Sequence, residues 1–118
     1  MRMNEVTFDG QIPVDGYGPG FFRLGGAVHE GPVLLAPGSG PVAWGGIDET
    51  APLMALAGQI DVLFVGLGAE IAALPPGLVA EFEAAGFGVE SMATPPACRT
   101  YNVLLSEGRR IAAALLPV

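Results

Sequence analysis

One stretch constrains this chain more than any other: Asp61-Val62-Leu63-Phe64-Val65-Gly66-Leu67-Gly68. It is a short apolar run, rich in β-branched and aromatic side chains, opened by an acid and closed by Gly-x-Gly. Such a run reads as a strand buried on both faces, its carboxyl end opening into a tight loop. The segments before it read as hairpins and turns, and those after it as alternating helix and strand.

Downstream, Pro75-Pro76 opens a helix on which Leu78, Val79, Phe82 and Ala85 share a face while Glu81 and Glu83 lie toward water. Those two acids fall within its first two turns, where the helix dipole favours them. Gly86 ends this helix, and Phe87 to Met92 reads as a strand. Thr94-Pro95 has the form of an N-cap hydroxyl followed by proline at the first helical position. Ala97, Tyr101, Leu104 and Leu105 form the buried stripe of that helix, with Arg99, Asn102 and Ser106 on a different face. Gly108 stops it, and Ile111 to Leu116 is a last buried strand. Two right-handed crossovers then place three parallel strands in one sheet.

Upstream, Ile12-Pro13-Val14 begins the first strand, followed by Gly16-Tyr17-Gly18-Pro19-Gly20. Glycines at alternate positions permit positive φ or a very close backbone approach. Gly25-Gly26 between two short apolar runs signals a two-residue hairpin. Gly31-Pro32 and Pro37-Gly38-Ser39-Gly40-Pro41 turn the chain again, giving a meander of short strands. Asp48 or Thr50 is placed to cap a short helix with Pro52 in its first turn, and Leu53, Leu56, Ala57 and Ile60 form its apolar stripe. Met1 to Gly10 is polar and is expected to be loosely held.

The 118 residues suffice for one domain with a real core, spanning 1–118. Net charge is −7, with five arginines and no lysine. Phosphate backbones repel such a chain, so nucleic acid is excluded as a partner, and Schiff-base and P-loop lysine chemistry is excluded with it. A single cysteine, Cys98, and a single histidine, His29, make no internal disulfide and no His-rich metal site. No metal or other cofactor is expected, and a reducing, cytoplasmic location fits. The most apolar window, Thr50 to Ala69, is broken by Pro52, Gly58, Asp61, Gly66 and Gly68, so no membrane-spanning segment is read. Nor does a basic segment followed by an apolar one suggest a cleaved signal.

Gly16-Tyr17-Gly18-Pro19-Gly20-Phe21-Phe22-Arg23, His29-Glu30-Gly31, Gly66-Leu67-Gly68 and Arg99-Thr100-Tyr101-Asn102-Val103-Leu104 together carry a resemblance. In that order they resemble the MTH-type domain family. It comprises uncharacterised bacterial and archaeal proteins together with mitochondrial complex I assembly factor three and the adipogenesis-associated MTH-domain protein. The resemblance runs from about Gly10 to the carboxyl end. It implies a three-layer α/β fold with a mixed central sheet, a smaller sheet beside it and helices on the faces. It also implies a role through protein contacts, with no agreed catalytic residues, in what looks like a bacterial member.

Several constellations compete for a chemical role. Gly66-x-Gly68 lies where open α/β sheets bind ligands, and Glu90 falls roughly where a ribose-binding acid belongs. Against a nucleotide, Pro75-Pro76 starts the next helix well after Gly68, Glu70 would face a phosphate, and the third glycine is missing. The competing reading is a glycine turn that packs strand and loop closely. Arg99, Thr100 and Asn102, in the first turns of a proline-led helix, form a candidate anion site. The competing reading, favoured because structural ion pairs outnumber ligand sites, is that Arg99 pairs on the surface, Tyr101 packs inward and Asn102 bonds a neighbouring loop. Tyr17, His29 and Trp44 are candidates to line a cleft or to pack on a sheet. Ser39 or Ser91, His29 and Asp48 or Asp61 assemble a triad on paper, without a nucleophile elbow to support it. Cys98 near a helix start is a weak thiol candidate.

Two functional expectations result. The first is a non-enzymatic interaction or assembly-assisting module, with a protein partner drawn from a larger, membrane-associated complex. The alternative is a small anionic ligand binder or enzyme with a cleft between the Gly66–Gly68 loop and the Arg99 helix. The binding candidates are Tyr17, Gly18, Gly66, Gly68, Arg99, Thr100 and Asn102.

Overall fold

The computed structural model describes residues 11–70 and 72–118. The expectation for Met1 to Gly10 lies outside the described residues. The chain runs through β1 (Val14–Gly18), β2 (Phe21–Leu24), β3 (Ala27–Glu30), β4 (Val33–Leu35), β5 (Val42–Ala43) and α1 (Ala51–Met54). It continues through β6 (Val62–Leu67), α2 (Pro76–Ala84), β7 (Gly88–Met92), α3 (Thr94–Ser106) and β8 (Ile111–Leu116).

β1, β2 and β3 form an antiparallel sheet, and the other five strands form a mixed sheet in the order β5-β4-β8-β6-β7. β6 pairs in parallel with both β7 and β8, as two crossovers require, while β4 joins β8 antiparallel. The meander is therefore divided. Its first three strands make the small sheet, and its last two extend the central one. Gly25 and Gly26, at φ 59° and 85°, supply the left-handed pair that a tight hairpin needs, with Leu24 opposite Ala27.

Alternation along the central strands feeds two separate cores. Ile111, Ala113 and Leu115 of β8, Phe64 of β6, and Val33 and Leu35 of β4 pack with Ala97, Tyr101 and Leu105 of α3 and with Val14, Phe22 and Leu24 of the small sheet. On the opposite face, Ala112 and Ala114, Leu63 and Val65, and Leu34 meet Leu53, Phe82, Phe87 and Trp44. The layers are thus α1 and α2, the central sheet, then α3 beside the small sheet. Ala112, Ala113 and Ala114 are fully buried in succession, so the middle of β8 presents only methyl groups, between the larger Ile111 and Leu115. Phe64 is 2% exposed.

Three local expectations are corrected. α1 ends at Met54 and is succeeded by turns, so Ala57 is exposed while Leu53, Leu56 and Ile60 stay buried; Thr50 makes no side-chain cap. Glu81 and Glu83 lie beyond the first turn of α2, which holds no acid, so the dipole gains little from them. Thr94 is the first residue of α3 rather than its cap; Ala93 stands at the cap position, and the threonine hydroxyl bonds elsewhere.

Candidate functional site

The carboxyl end of β6 is where a parallel sheet ordinarily opens for a ligand. Here the crevice is filled by the chain itself. The Thr94 N–H donates to the Gly68 carbonyl at 2.8 Å, and the Gly68 N–H donates to Thr94 Oγ1 at 2.9 Å. The same hydroxyl donates to the Leu116 carbonyl at 2.6 Å. One fully buried side chain thereby joins the start of α3 to the ends of β6 and β8. The hydroxyl's proton and one lone pair are both used, and one orphan N–H of the helix start is satisfied.

Gly66 explains how α3 comes so close. A Cβ built there would lie 2.8 Å from Thr94 Oγ1 and 3.0 Å from the Thr94 Cα. The second contact is backbone and has nowhere to go. Gly66-x-Gly68 is therefore a seat for Thr94. The helix that meets this loop is α3, not α2, which begins at Pro76.

Arg99 stands five residues after Thr94 on α3 and is exposed. Five helical steps turn the side chain about 140° around the axis. Arg99 and Thr94, which the glycine loop holds, consequently project from different sides of α3. Thr100 is half-buried. Asn102 is taken up structurally: its Oδ1 accepts the Val14 N–H at 2.8 Å and its Nδ2 donates to the Val14 carbonyl at 2.9 Å. The side-chain amide stands in for a neighbouring strand and holds β1 against α3. Tyr101, fully buried, donates its hydroxyl to the Ile12 carbonyl at 2.8 Å. Burial pushes its phenol well above the ordinary range, with the Gln11 side chain opposing.

Tyr17 is 41% exposed on β1, and Gly18 lies under the Phe21 ring, whose edge would meet a Cβ at 2.6 Å. The β1–β2 turn is tied to the same end of the central sheet, where the Gly20 N–H donates to the main-chain oxygen of Val118. The seven binding candidates thus fall into separate groups. Gly66 and Gly68 surround Thr94, while Asn102 reaches β1, the strand that carries Tyr17 and Gly18.

The other constellations fare differently. Trp44 is buried and donates its indole N–H to the Glu49 carbonyl, so it lines no open cleft. His29 Nε2 lies 3.2 Å from the Pro32 carbonyl. Cys98 is buried, and desolvation pushes its thiol up to about 11 although Arg99 pulls it down. That is the opposite of an activated nucleophile. Among the described residues, no group of three or more His, Cys, Asp or Glu side chains is placed to hold a metal, and no helix is long and apolar enough to cross a membrane. The residue that sequence reasoning misplaced is Thr94. Its signal was the Thr-Pro-Pro start of α3, which reads as a cap.

Comparison with known proteins gives a consistent set of likenesses. The profile of a family described as "Protein of unknown function (DUF498/DUF598)" matches residues 14–116. An uncharacterised protein of Rhodobacter capsulatus is 55% identical over 118 residues, covering 100% of this chain and 94% of that protein. NADH dehydrogenase (ubiquinone) 1 alpha subcomplex assembly factor 3 of Danio rerio is 33% identical over 108 residues, 86% of this chain and 62% of that protein. The chain spans less than two thirds of that relative's length. Among solved structures, an outer membrane protein from Bartonella henselae superposes with a TM-score of 0.84 at 34% identity, covering 94% of this chain and 98% of the other. A Mth938-like domain from Bordetella pertussis gives 0.78 at 29% identity, covering 99% and 91%.

Proposed function

Because the chain belongs to the DUF498/DUF598 family of proteins of unknown function, whose match runs over residues 14–116, we propose that it is a non-enzymatic interaction module assisting assembly of a larger protein complex. The observation that carries this reading is Thr94 seated in the Gly66–Gly68 loop. The position where a sheet of this kind would take a small ligand is occupied by the chain's own side chain, with its hydrogen-bonding groups engaged. Surfaces remain, and surfaces bind proteins. The relatives named as NADH dehydrogenase assembly factor 3 support an assembly role, and in this reading the partner belongs to a membrane-associated complex. The module acts in the cytoplasm, a compartment that suits one buried, unbridged thiol.

The test is recovery of the tagged chain from native extract with membranes solubilised. The expected result is a stoichiometric protein complex. A bare protein carrying a bound metabolite would overturn the reading.

A further inference from the structure

Each sheet has two outer strands, and they are not equally protected. In the small sheet, β1 is broken by an irregularity between Val14 and Gly16, and Asn102 takes both backbone groups of Val14. β3 is four residues long. In the central sheet, β5 has two residues. β7 has five, pairs with β6 in unbroken register from Gly88 to Met92, and contains no proline. Short strands, bulges and prolines are the usual means of blunting an edge. β7 lacks all three.

The Gly88 N–H points inward, to the Asp61 carbonyl. Alternation along a strand then turns the N–H and C=O of Val89 and Ser91 away from β6. Among the described residues, no backbone group pairs with that outer side. A row of unpaired donors and acceptors is a template for one more strand.

Charge says what kind of strand. No basic side chain occurs between His29 and Arg99. Glu70, Glu81, Glu83 and Glu90 fall in that interval and all are exposed, two of them on α2, which packs against β7. Glu90 is the central residue of the five in β7. A second copy pairing antiparallel through this edge, centred on the strand, would set Glu90 directly opposite Glu90, and like charges directly opposite destabilise a ladder. The edge therefore opposes its own copy and favours a strand of the other sign.

We propose that the open edge of β7 is a strand-addition site for an extended arginine- or lysine-bearing segment of a partner protein, a cation lying opposite Glu90. This rests on the interaction-module reading and names the surface that serves it.

The probe is a fluorescein-labelled nonapeptide of alternating arginine and valine, with a glutamate–valine counterpart, titrated into the full chain by anisotropy and mapped by amide shifts. The basic peptide is expected to bind about tenfold or more tightly than the acidic one and to shift Val89 and Ser91 rather than β3. Glu90→Arg should reverse the preference. Ser91→Pro removes only an outward N–H, so the fold should persist while binding is lost. Failure of the basic peptide to bind, shifts centred elsewhere, or equal binding by Ser91→Pro would each overturn the site. Repeating the native recovery with Ser91→Pro separates the two proposals. A complex retained by this variant removes the β7 site and leaves the assembly reading standing. No complex with the unaltered chain removes the assembly reading itself.

Discussion

Thr94→Val isolates the junction that closes the sheet. Valine keeps the volume and the β-branch but removes the hydroxyl, so the Gly68 N–H and the Leu116 carbonyl both lose their partner. An orphaned backbone group costs about 1–3 kcal/mol when buried. Gly68 and Leu116 are half-buried, so water reaches them in part and the lower half of that range applies to each. The sum is about 2–4 kcal/mol, against a total stability of about 5–15 kcal/mol for a domain. Thr94→Ser keeps both bonds and loses one methyl, costing about 1 kcal/mol. Urea denaturation of the two variants, with the slope checked for constancy, measures the difference directly. If valine and serine destabilise equally, the hydroxyl is not what holds α3 to the strand ends, and the account of Gly66-x-Gly68 as its seat fails.

Phe64→Ala should cost about 3–5 kcal/mol, since Phe64 lies at the centre of the core beneath α3; a denaturation midpoint that barely moves would remove β6 from that role. Asn102→Ala should loosen β1 selectively, with faster hydrogen exchange at the Val14 amide and about 1–3 kcal/mol lost; unchanged protection there would refute the clamp. Cys98 supplies a pH test. Its folded pKa of about 11 stands above the reference 9.0, so between these values the unfolded chain has released a proton that the folded chain retains. Stability then falls as pH rises through that window, by about 2–3 kcal/mol, and Cys98→Ala should flatten the fall, leaving the Tyr101 contribution at higher pH. Identical melting-against-pH curves for the two proteins would sink the assignment. Arg99→Gln should leave the melting temperature within about 2 °C, as expected for an exposed side chain; a large drop would make Arg99 structural.

The central sheet could be read from the sequence because burial on both faces leaves a local signature, as Val62–Leu67 and Ile111–Leu116 show. Hairpin chemistry was equally local at Gly25-Gly26. The division of the meander was not, because Val33-Leu34-Leu35 joins β8 across most of the chain, and no nearby residue announces a long-range pairing. The same limit explains the site. Thr94-Pro95 fits a helix cap by every local rule, yet its hydroxyl answers to Gly68 and Leu116, which are adjacent only after folding. Asn102, expected to bond a neighbouring loop, was legible as a polar group on a helix flank; that it would grip the backbone of Val14 was not. Charge segregation between His29 and Arg99 was visible in the sequence, but it gained meaning only once β7 proved to be an outer strand.

The three buried alanines of β8 restrict how this chain can change over time. With only methyl groups at Ala112, Ala113 and Ala114, the middle of β8 leaves the layers on both sides no side-chain bulk to give up. Substitution there has a one-sided outlook. Glycine would loosen the strand, and any larger residue would push a whole layer outward, at about 1–3 kcal/mol for each overpacked site. A valine could enter at Ala113 only after a smaller residue had appeared among its neighbours, such as Phe64 or Tyr101. Variation at this waist should therefore arrive in compensating pairs across layers, whereas the exposed hairpin tip at Gly25-Gly26 is tied, among the described residues, only by the Gly26 N–H to the Asp15 carboxylate.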